Sequence, residues 1–438
     1  MAELKKALTV RGLTMMAVGA SIGSGIFVSP ANTLVHLPHH GYALLAWLLG
    51  GVVAFFGALT FSELGSAFPR EGGVYVYIRE AYGNLAGFLY GWVILLIINT
   101  GALAALGMAL ADYLTFFFPL NQWQKIATAI AVIWFLTLVN ARGVHISQRF
   151  AVTFTGLKLF AMVLMVFVGL WYLPELAHPI QLDPLKEIPG DLAGGMLLAF
   201  IGVFWSMGGW HHATYLAGEA KDARRTVPRA MLWGTIIITS IYLAVILAYM
   251  ILLPAGQMAA SQRVAGDAMQ SVISGGGQLV SVAIAISIFG TIGIYTMTAP
   301  RIYFAMANDG MFFRFLAKLS PRYHTPVNAM FLQAFWATIL IFLWGSFVRM
   351  IAFVTFMDIV FMSLACASVF LFRRRNQAND GYRMAMFPWP PVIYLLICVS
   401  FVVYTLLSFQ PESWVGVCIL LAGIPVYLFF TRKKVQPY

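Results

Sequence analysis

Inside the long apolar stretches of this 438-residue chain sit a few residues whose type and spacing could do chemistry. The first group is "VGASIGSGIFVSP", residues 18–30, where Gly23, Ser24 and Gly25 fall in the middle of a run apolar enough to cross a bilayer. Glycine costs a helix about 1 kcal/mol relative to alanine. The run is therefore either a seat for a neighbouring helix, through the Gly19–Gly23 GxxxG pair, or a place where the helix comes apart. A second interruption, Gly208 and Gly209, lies in "AFIGVFWSMGGWHHATYLAGEAK". In lipid, unwound backbone persists only around a cavity or within protein. It exposes N–H groups where the second half-helix starts and carbonyls where the first one ends. An α-carboxylate suits the former and an α-ammonium the latter. Two such breaks crossing near the midplane form a receptor for the zwitterionic head of an amino acid, and glycine interruptions at corresponding places in two halves point to that kind of site.

Embedded charge is the second signal. Lys158, in "TGLKLF", lies about nine residues, or about 13 Å, into its apolar stretch. A lysine there either snorkels to the surface or stays inside at a cost of at least ~2.5–3.5 kcal/mol, which marks function. Its role is then a fixed cation or a proton carrier. Glu63, near the end of the second stretch, reads as an interfacial or pairing carboxylate, with transport coupling as the lesser alternative. Asp358 is mid-span in the tenth and faces the bundle, with no partner identifiable. His211 and His212 follow the second break. Neighbours on a helix diverge by about 100°, so at least one faces away from any shared site. Each is expected as a hydrogen-bonded packing histidine, and no further His or Cys cluster accompanies them to hold a metal. Trp210 is expected to pack. In "GGVYVYIREAYG" an interfacial loop helix is expected, with Arg79 and Glu80 solvated.

These residues need elements to hold them, and composition says which. The chain is 61% hydrophobic and 10% charged, against about 25% charged for a soluble domain. Stretches of ~20 apolar residues each cross a bilayer. Twelve are expected, at 13–34, 41–68, 84–118, 123–140, 149–173, 191–219, 226–253, 277–307, 326–345, 347–372, 388–409 and 412–431. With the N-terminus inside, 22 of the 27 Lys and Arg residues fall on the cytoplasmic side, including Arg142, Arg149, Lys221, Arg224, Arg225, the run Arg373–Arg375, and Lys433 and Lys434. Lys125, Lys186, Arg263 and Arg349 fall outside, and Lys158 within a span. This positive-inside asymmetry puts both termini in the cytoplasm. The net charge of +11 thus reports orientation, and no nucleic-acid partner is expected. Cys366, Cys398 and Cys418 all lie in spans, so no disulfide framework follows. The first apolar run is too long for a signal-peptide core and is expected to be retained.

Four motifs in order, "GASIGSGIFVSP", "FSELGSAFPREGGVYVYIREAYG", "GEAKDARRTVPRAM" and "FGTIGIYTMTAPRIYFAMANDGMFF…TPVNA", resemble the amino acid–polyamine–organocation superfamily, over residues 10 to 434. The likeness is greatest to its bacterial L-amino acid transporter (LAT-like) branch, with serine/threonine and alanine–serine–cysteine exchangers. The resemblance implies an all-α polytopic membrane protein of twelve helices with a LeuT-like five-plus-five inverted repeat, discontinuous in helices 1 and 6. The repeats would cover about 10–175 and 190–372 of a single transmembrane domain, with extra helices at 388–431. It also implies sodium-independent exchange. The family's carboxylate site falls on the backbone of Gly23, Ser24 and Gly25, with the Ser24 hydroxyl as a further donor. Its ammonium site falls on carbonyls near Ser21 and Ile22, and near Trp205 and Gly208. Trp205 takes the place of an aromatic gate. Lys158 matches a lysine whose ammonium stands where sodium sits in sodium-coupled relatives. Thr291 matches a small hydroxyl residue beside it, and Tyr242 is a weaker candidate for the same region.

Departures from the family pattern touch the substrate's side chain: Met207 stands where animal members often have an aromatic residue, His211 where Asn is common, and Gly293 follows "FGTI". The loop "FFPLNQWQK" lacks the cysteine that tethers animal members to a heavy subunit, so no heavy chain is expected. A channel would show a repeated pore element, an intramembrane enzyme a nucleophile with a base or a metal cluster, and a primary pump a soluble nucleotide-binding domain. None is visible, and no cofactor is expected. A nutrient sensor on a transporter fold stays as an alternative. The expectation is exchange of small neutral L-amino acids such as alanine, serine, cysteine and threonine across the cytoplasmic membrane by alternating access. Proton-coupled symport and antiport of cationic amino acids or amines are the alternatives. Membrane lipids and the amino acids themselves are the expected partners.

Overall fold

A computed structural model describes residues 4–175, 178, 180, 182, 190–344, 347–375, 381–408 and 412–432. Lys186, Lys433 and Lys434 of the charge pattern lie outside the described residues. The described chain is helical, with an isolated parallel bridge between Leu8 and Ala220 and no strand.

Helix α1 (Val10–Ser21) starts on Thr9, whose side-chain oxygen accepts the Gly12 N–H. After a three-residue break comes α2 (Gly25–His36), bent 43° from α1. The long α3 (His40–Ala67) opens on His39, whose Nδ1 accepts the Gly41 N–H. The short α4 (Val74–Tyr82) leads to α5 (Asn84–Val93), a π-helical turn (Ile94–Ile98) and α6 (Asn99–Leu114), which form one rod. A capping box of Asn121 and Gln124 starts α7 (Gln122–Ala141), and α8 (Val144–Trp171) follows. Asp191 caps α9 (Leu192–Met207), and the break after it ends in the four-residue α10 (His212–Tyr215). Then come α11 (Ala223–Leu252), the short α12 (Ala255–Ala260) and α13 (Val264–Gln270), and α14 (Gly276–Thr298) with α15 (Pro300–Asn308). The chain closes with α16 (Val327–Trp344), α17 (Phe347–Arg374), α18 (Trp389–Ser408) and α19 (Glu412–Arg432).

Eight described helices are long and apolar enough to cross a membrane, nine with the bent pair α1–α2, and three shorter apolar helices lie at 192–207, 327–343 and 414–430. The expected sixth span is interrupted at Gly208 and Gly209, where the sequence places its break. Only its first half is a regular helix, because Gly208 is extended and Gly209 has φ +97°. α1 lies at the centre of the fold, packed by α8, α11 and α14, and α2 packs on α9. The sidedness of α8 shows how a nearly uniform apolar sequence is sorted. Thr155, Lys158, Met162, Met165 and Gly169 are buried, whereas Leu157, Phe160, Leu164, Phe167 and Trp171 point outward. Each set recurs at helical spacing, so one stripe faces protein and the other faces lipid.

The end that carries the N-terminal segment is closed. The Ala7 and Leu8 amides donate to the Glu219 carbonyl, both at 2.9 Å, and the Lys221 amide to the Leu8 carbonyl at 2.9 Å. The Glu219 side chain pairs with Arg301 of α15 at 2.9 Å, both fully buried. Nearby, Glu63 pairs with Arg373 through both carboxylate oxygens (2.8 and 2.7 Å) and accepts the Met384 amide, so it is a pairing carboxylate. Arg79 departs from expectation: it is mostly buried and pairs with Asp309, just past the end of α15, and with Glu80, because α4 packs on α5 and α17 rather than lying in solvent. Cys366, Cys398 and Cys418 are free thiols.

Candidate functional site

The two breaks meet. A Cβ placed on Gly209 would lie 2.8–2.9 Å from the backbone of Ala20 and Ser21, so only glycine lets the two chains approach this closely. Gly25 is equally constrained: its Cβ would fall 2.3 Å from Ser206 Oγ and 2.9 Å from Ser206 Cα. Gly19 would meet Thr155 and Ile294 side chains at 2.2 and 2.5 Å. The glycines of the first span thus serve both purposes weighed from sequence. Gly19 and Gly25 seat neighbours, and Gly23 lies in the break.

Lys158 reaches this crossing from α8. Its Nζ donates to the Gly19 carbonyl (3.0 Å), the Ile22 carbonyl (2.7 Å) and Thr291 Oγ1 (2.8 Å). An ammonium has three donors, and here each has an acceptor, so the side chain does not snorkel. Thr291 Oγ1 is also within reach of the Gly19, Ile22 and Ser287 carbonyls, and Ser287 Oγ lies 3.2 Å from the Ile22 oxygen. Tyr242 OH bridges the Ser21 carbonyl of the first break (3.0 Å) and the Ser206 carbonyl of the second (3.2 Å). The three hydroxyl and ammonium residues named from sequence therefore converge on one backbone.

The expected head-group site differs in two details. The Ile22 oxygen already faces Lys158, Thr291 and Ser287, which fills the two lone pairs of a carbonyl. The Gly23 amide donates to the Ser21 carbonyl at 2.9 Å. Ser24 and Gly25 stand at the start of α2, where a helix's first amides have no intrahelical acceptor. The Ser24 hydroxyl is fully buried and has no hydrogen-bond partner.

Two cavities of about 30 Å³ each flank the second break and share Phe204, Gly208, His211, Asp358 and Ile359. Trp205 lines the second cavity. His211 and His212 both line it as well, their rings 5.0 Å apart. The expected divergence fails because the backbone from Gly208 to His211 is not helical. His212 Nδ1 lies 2.6 Å from Thr298 Oγ1, and Trp210 packs edge-on to Phe61, both as expected. Farther along α2, a cleft of about 630 Å³ opens beside Val28, Tyr113, Phe116 and Arg263, away from the end closed by Glu219. Among the described residues there is no group of His, Cys, Asp or Glu that could hold a metal. Ser206, Ser287 and Thr155 escaped the sequence reading, since a small hydroxyl residue in an apolar helix usually bonds its own backbone.

Two interrupted helices in direct contact, the first bonded to a buried lysine, in a chain of apolar helices, define a membrane transport protein. The sequence matches the amino acid permease family over residues 8–430, and the chain belongs to that family, within the amino acid–polyamine–organocation superfamily. It is 32% identical to the human Asc-type amino acid transporter 1 over 98% of this chain and 84% of that protein. To the serine/threonine exchanger SteT of Bacillus subtilis (strain 168) it is 30% identical over 98% of both chains. The human large neutral amino acids transporter small subunit 2 is 28% identical over 99% of this chain and 82% of its own length. The family consists of transporters, not enzymes.

Proposed function

We propose that this chain exchanges small neutral L-amino acids, such as alanine, serine, cysteine and threonine, across a membrane without sodium. The observation that carries this is the contact of the two breaks at Gly209 and Ala20–Ser21 with the Lys158 ammonium bonded beneath it. The substrate carboxylate would lie against the Ser24 and Gly25 amides and the Ser24 hydroxyl. Its ammonium would take the carbonyls of Trp205 and Gly208, since the Ser21 carbonyl already accepts from the Gly23 amide and Tyr242. Lys158 supplies the fixed positive charge that shapes the first break, with the neutral Thr291 hydroxyl bonded beside it, and Tyr242 ties the two breaks together. Twelve spans, a five-plus-five repeat over 10–175 and 190–372, cytoplasmic termini and a bacterial inner-membrane location complete this reading. Spans one, two, six and seven would rock against the rest, with Trp205 closing over the substrate, and the chain would act without a heavy subunit.

A second reading, proton-coupled uptake, draws on the burial of Lys158 with only neutral oxygen partners. Liposomes separate the two. Labelled L-alanine should enter vesicles preloaded with unlabelled amino acid, with no sodium and no pH gradient. Uptake into empty vesicles that responds to an imposed proton gradient would replace exchange with symport. No uptake of alanine, serine or threonine in either set would refute both.

A further inference from the structure

Basic residues crowd one rim of the molecule, at the end that carries the N-terminal segment. Six exposed arginines stand on three helices that pack on one another: Arg11 on α1, Arg142 and Arg149 at the start of α8, and Arg224, Arg225 and Arg229 at the start of α11. Gly12 of α1 abuts Gln148 of α8, and the Lys221 amide bonds the Leu8 carbonyl, so the three starts are drawn together. Over residues 4–21, 142–171 and 221–252 the one acid is Asp222. Its pair with Arg225 is long (3.8 Å) and exposed on both sides, a geometry that contributes little. The other acids of this end are already engaged: Glu63 with Arg373, Glu80 with Arg70 and Arg79, Glu219 with Arg301. Orientation in a membrane requires only that basic residues lie on one side of it. It does not require them to gather on three adjoining helices apart from the acids.

What lies below the arginines is apolar. On α11 the outward residues run Arg225, Arg229, Trp233 and Ile236, at spacings of four and three that keep them on one face. On α8 the outward stripe that holds Leu157, Phe160 and Leu164 starts at Arg149, eight residues before Leu157. α1 stands between the two helices at the basic end, with Gly12 against Gln148 of α8 and Ala17 against Gly234 of α11. Farther along, α8 and α11 meet directly, Gly169 on Ala248. We propose that this rim binds an anionic phospholipid of the adjoining leaflet, its headgroup on the arginines and its acyl chains along the outward faces of α8 and α11. Each stripe has the profile of that partner, charge at one end and hydrocarbon below it. Guanidinium groups bond phosphate oxygens in pairs, and basic residues at a membrane surface attract anionic lipid. A zwitterionic headgroup brings its own cation, which the arginines repel, so phosphatidylglycerol is favoured over phosphatidylcholine. The site is separate from the crossing of the breaks and holds whatever solute the chain carries.

Trp233 lies about 6 Å along the axis beyond Arg229, where the upper part of an acyl chain would rest. The full chain is placed in phosphatidylcholine vesicles with increasing amounts of phosphatidylglycerol or phosphatidylcholine brominated on the acyl chains. The signal is the tryptophan quenching that disappears in Trp233→Phe. Brominated phosphatidylglycerol should half-quench at a mole fraction at least ~5-fold below brominated phosphatidylcholine, the worth of about one basic residue at an anionic surface. In the double variant Arg225→Gln with Arg229→Gln that preference should fall at least ~3-fold. Arg314→Gln with Lys318→Gln removes the same charge from the segment between α15 and α16 and should leave it within ~1.5-fold. A wild-type preference below ~2-fold overturns the proposal. An equal fall in both double variants also overturns it, because net charge would then act without a site. Inorganic phosphate, against chloride at equal ionic strength, should leave the preference unchanged, and its loss would replace lipid with a soluble anion. Arg229→Gln alone, on an exposed position, should halve the preference and answers even where the double variant does not fold.

Discussion

Replacing Lys158 with Met removes the ammonium while keeping an unbranched side chain of similar reach. Three bonds go: to the Gly19 carbonyl, the Ile22 carbonyl and Thr291 Oγ1. Some of the loss is made up locally. The single Thr291 proton can settle on the Gly19 oxygen at 3.0 Å, and Ser287 stays 3.2 Å from the Ile22 oxygen. The net loss is then two hydrogen bonds of a charged group, each about 1.5 kcal/mol. Together they amount to about 3 kcal/mol of the energy that fixes the first break, or ~100-fold in exchange rate at 1.4 kcal/mol per decade. Global stability should respond differently, because the variant also lifts the desolvation penalty of an interior charge, which is worth several kcal/mol. The expected signature is a folded, monodisperse protein whose initial rate of preloaded L-alanine exchange falls ~100-fold while its thermal midpoint barely moves. Exchange within threefold of the wild type would refute the reasoning, because the ammonium would then play no part in shaping the break. Thr291→Val should fall between the two, at about 10-fold, having lost one hydroxyl of the same network.

Gly209→Ala forces a non-glycine residue to φ +97°, itself about 1–3 kcal/mol, and drives a Cβ into the Ala20–Ser21 backbone. The expected outcome is loss of exchange, with a lowered thermal midpoint in detergent. Glu219→Gln or Arg301→Met leaves one buried charge unpaired and should destabilise by about 3–5 kcal/mol, whereas the double replacement Glu219→Met with Arg301→Met should recover most of that in chemical unfolding. Glu80 gives a pH test. Its partial burial would raise the carboxyl, but the Arg79 and Arg70 guanidinium groups outweigh burial and hold it below its ordinary 4.5. Its contribution is therefore present above pH 4.5 and lost as pH falls through the lowered value. Glu80→Gln should lower the thermal midpoint at pH 7, and the gap to the wild type should close in acid.

The residues that were legible in the sequence are those that break a rule of the bilayer. A glycine pair inside an apolar run and a lysine nine residues into a span are costly, so each announces itself, and Lys158, Thr291, Tyr242 and both breaks do converge in space. Ser206 breaks no such rule. A serine in an apolar helix normally bonds the turn before it, as Ser206 does with Gly202, and only the fold reveals that it also abuts Gly25. The histidine pair misled because the rule of divergence assumes a helix, and the break removes it. Arg79 misled because distant pairing with Asp309 cannot be read from local polarity.

Glu219 holds two parts of the molecule by two different means. Its main chain is stitched to Ala7 and Leu8, while its side chain is clasped to Arg301. The stitch is blind to side-chain identity, so no substitution at position 219 short of proline-like disruption touches it, and mutagenesis at this site interrogates the clasp alone. The clasp can be undone by rotating one carboxylate, but the stitch yields only if the Ala7–Leu8 segment lifts away from Glu219 and Lys221. The N-terminal segment is thereby a lever attached to α1, and removing it through Leu8 would free this end of the first helix while leaving the Glu219–Arg301 pair in place.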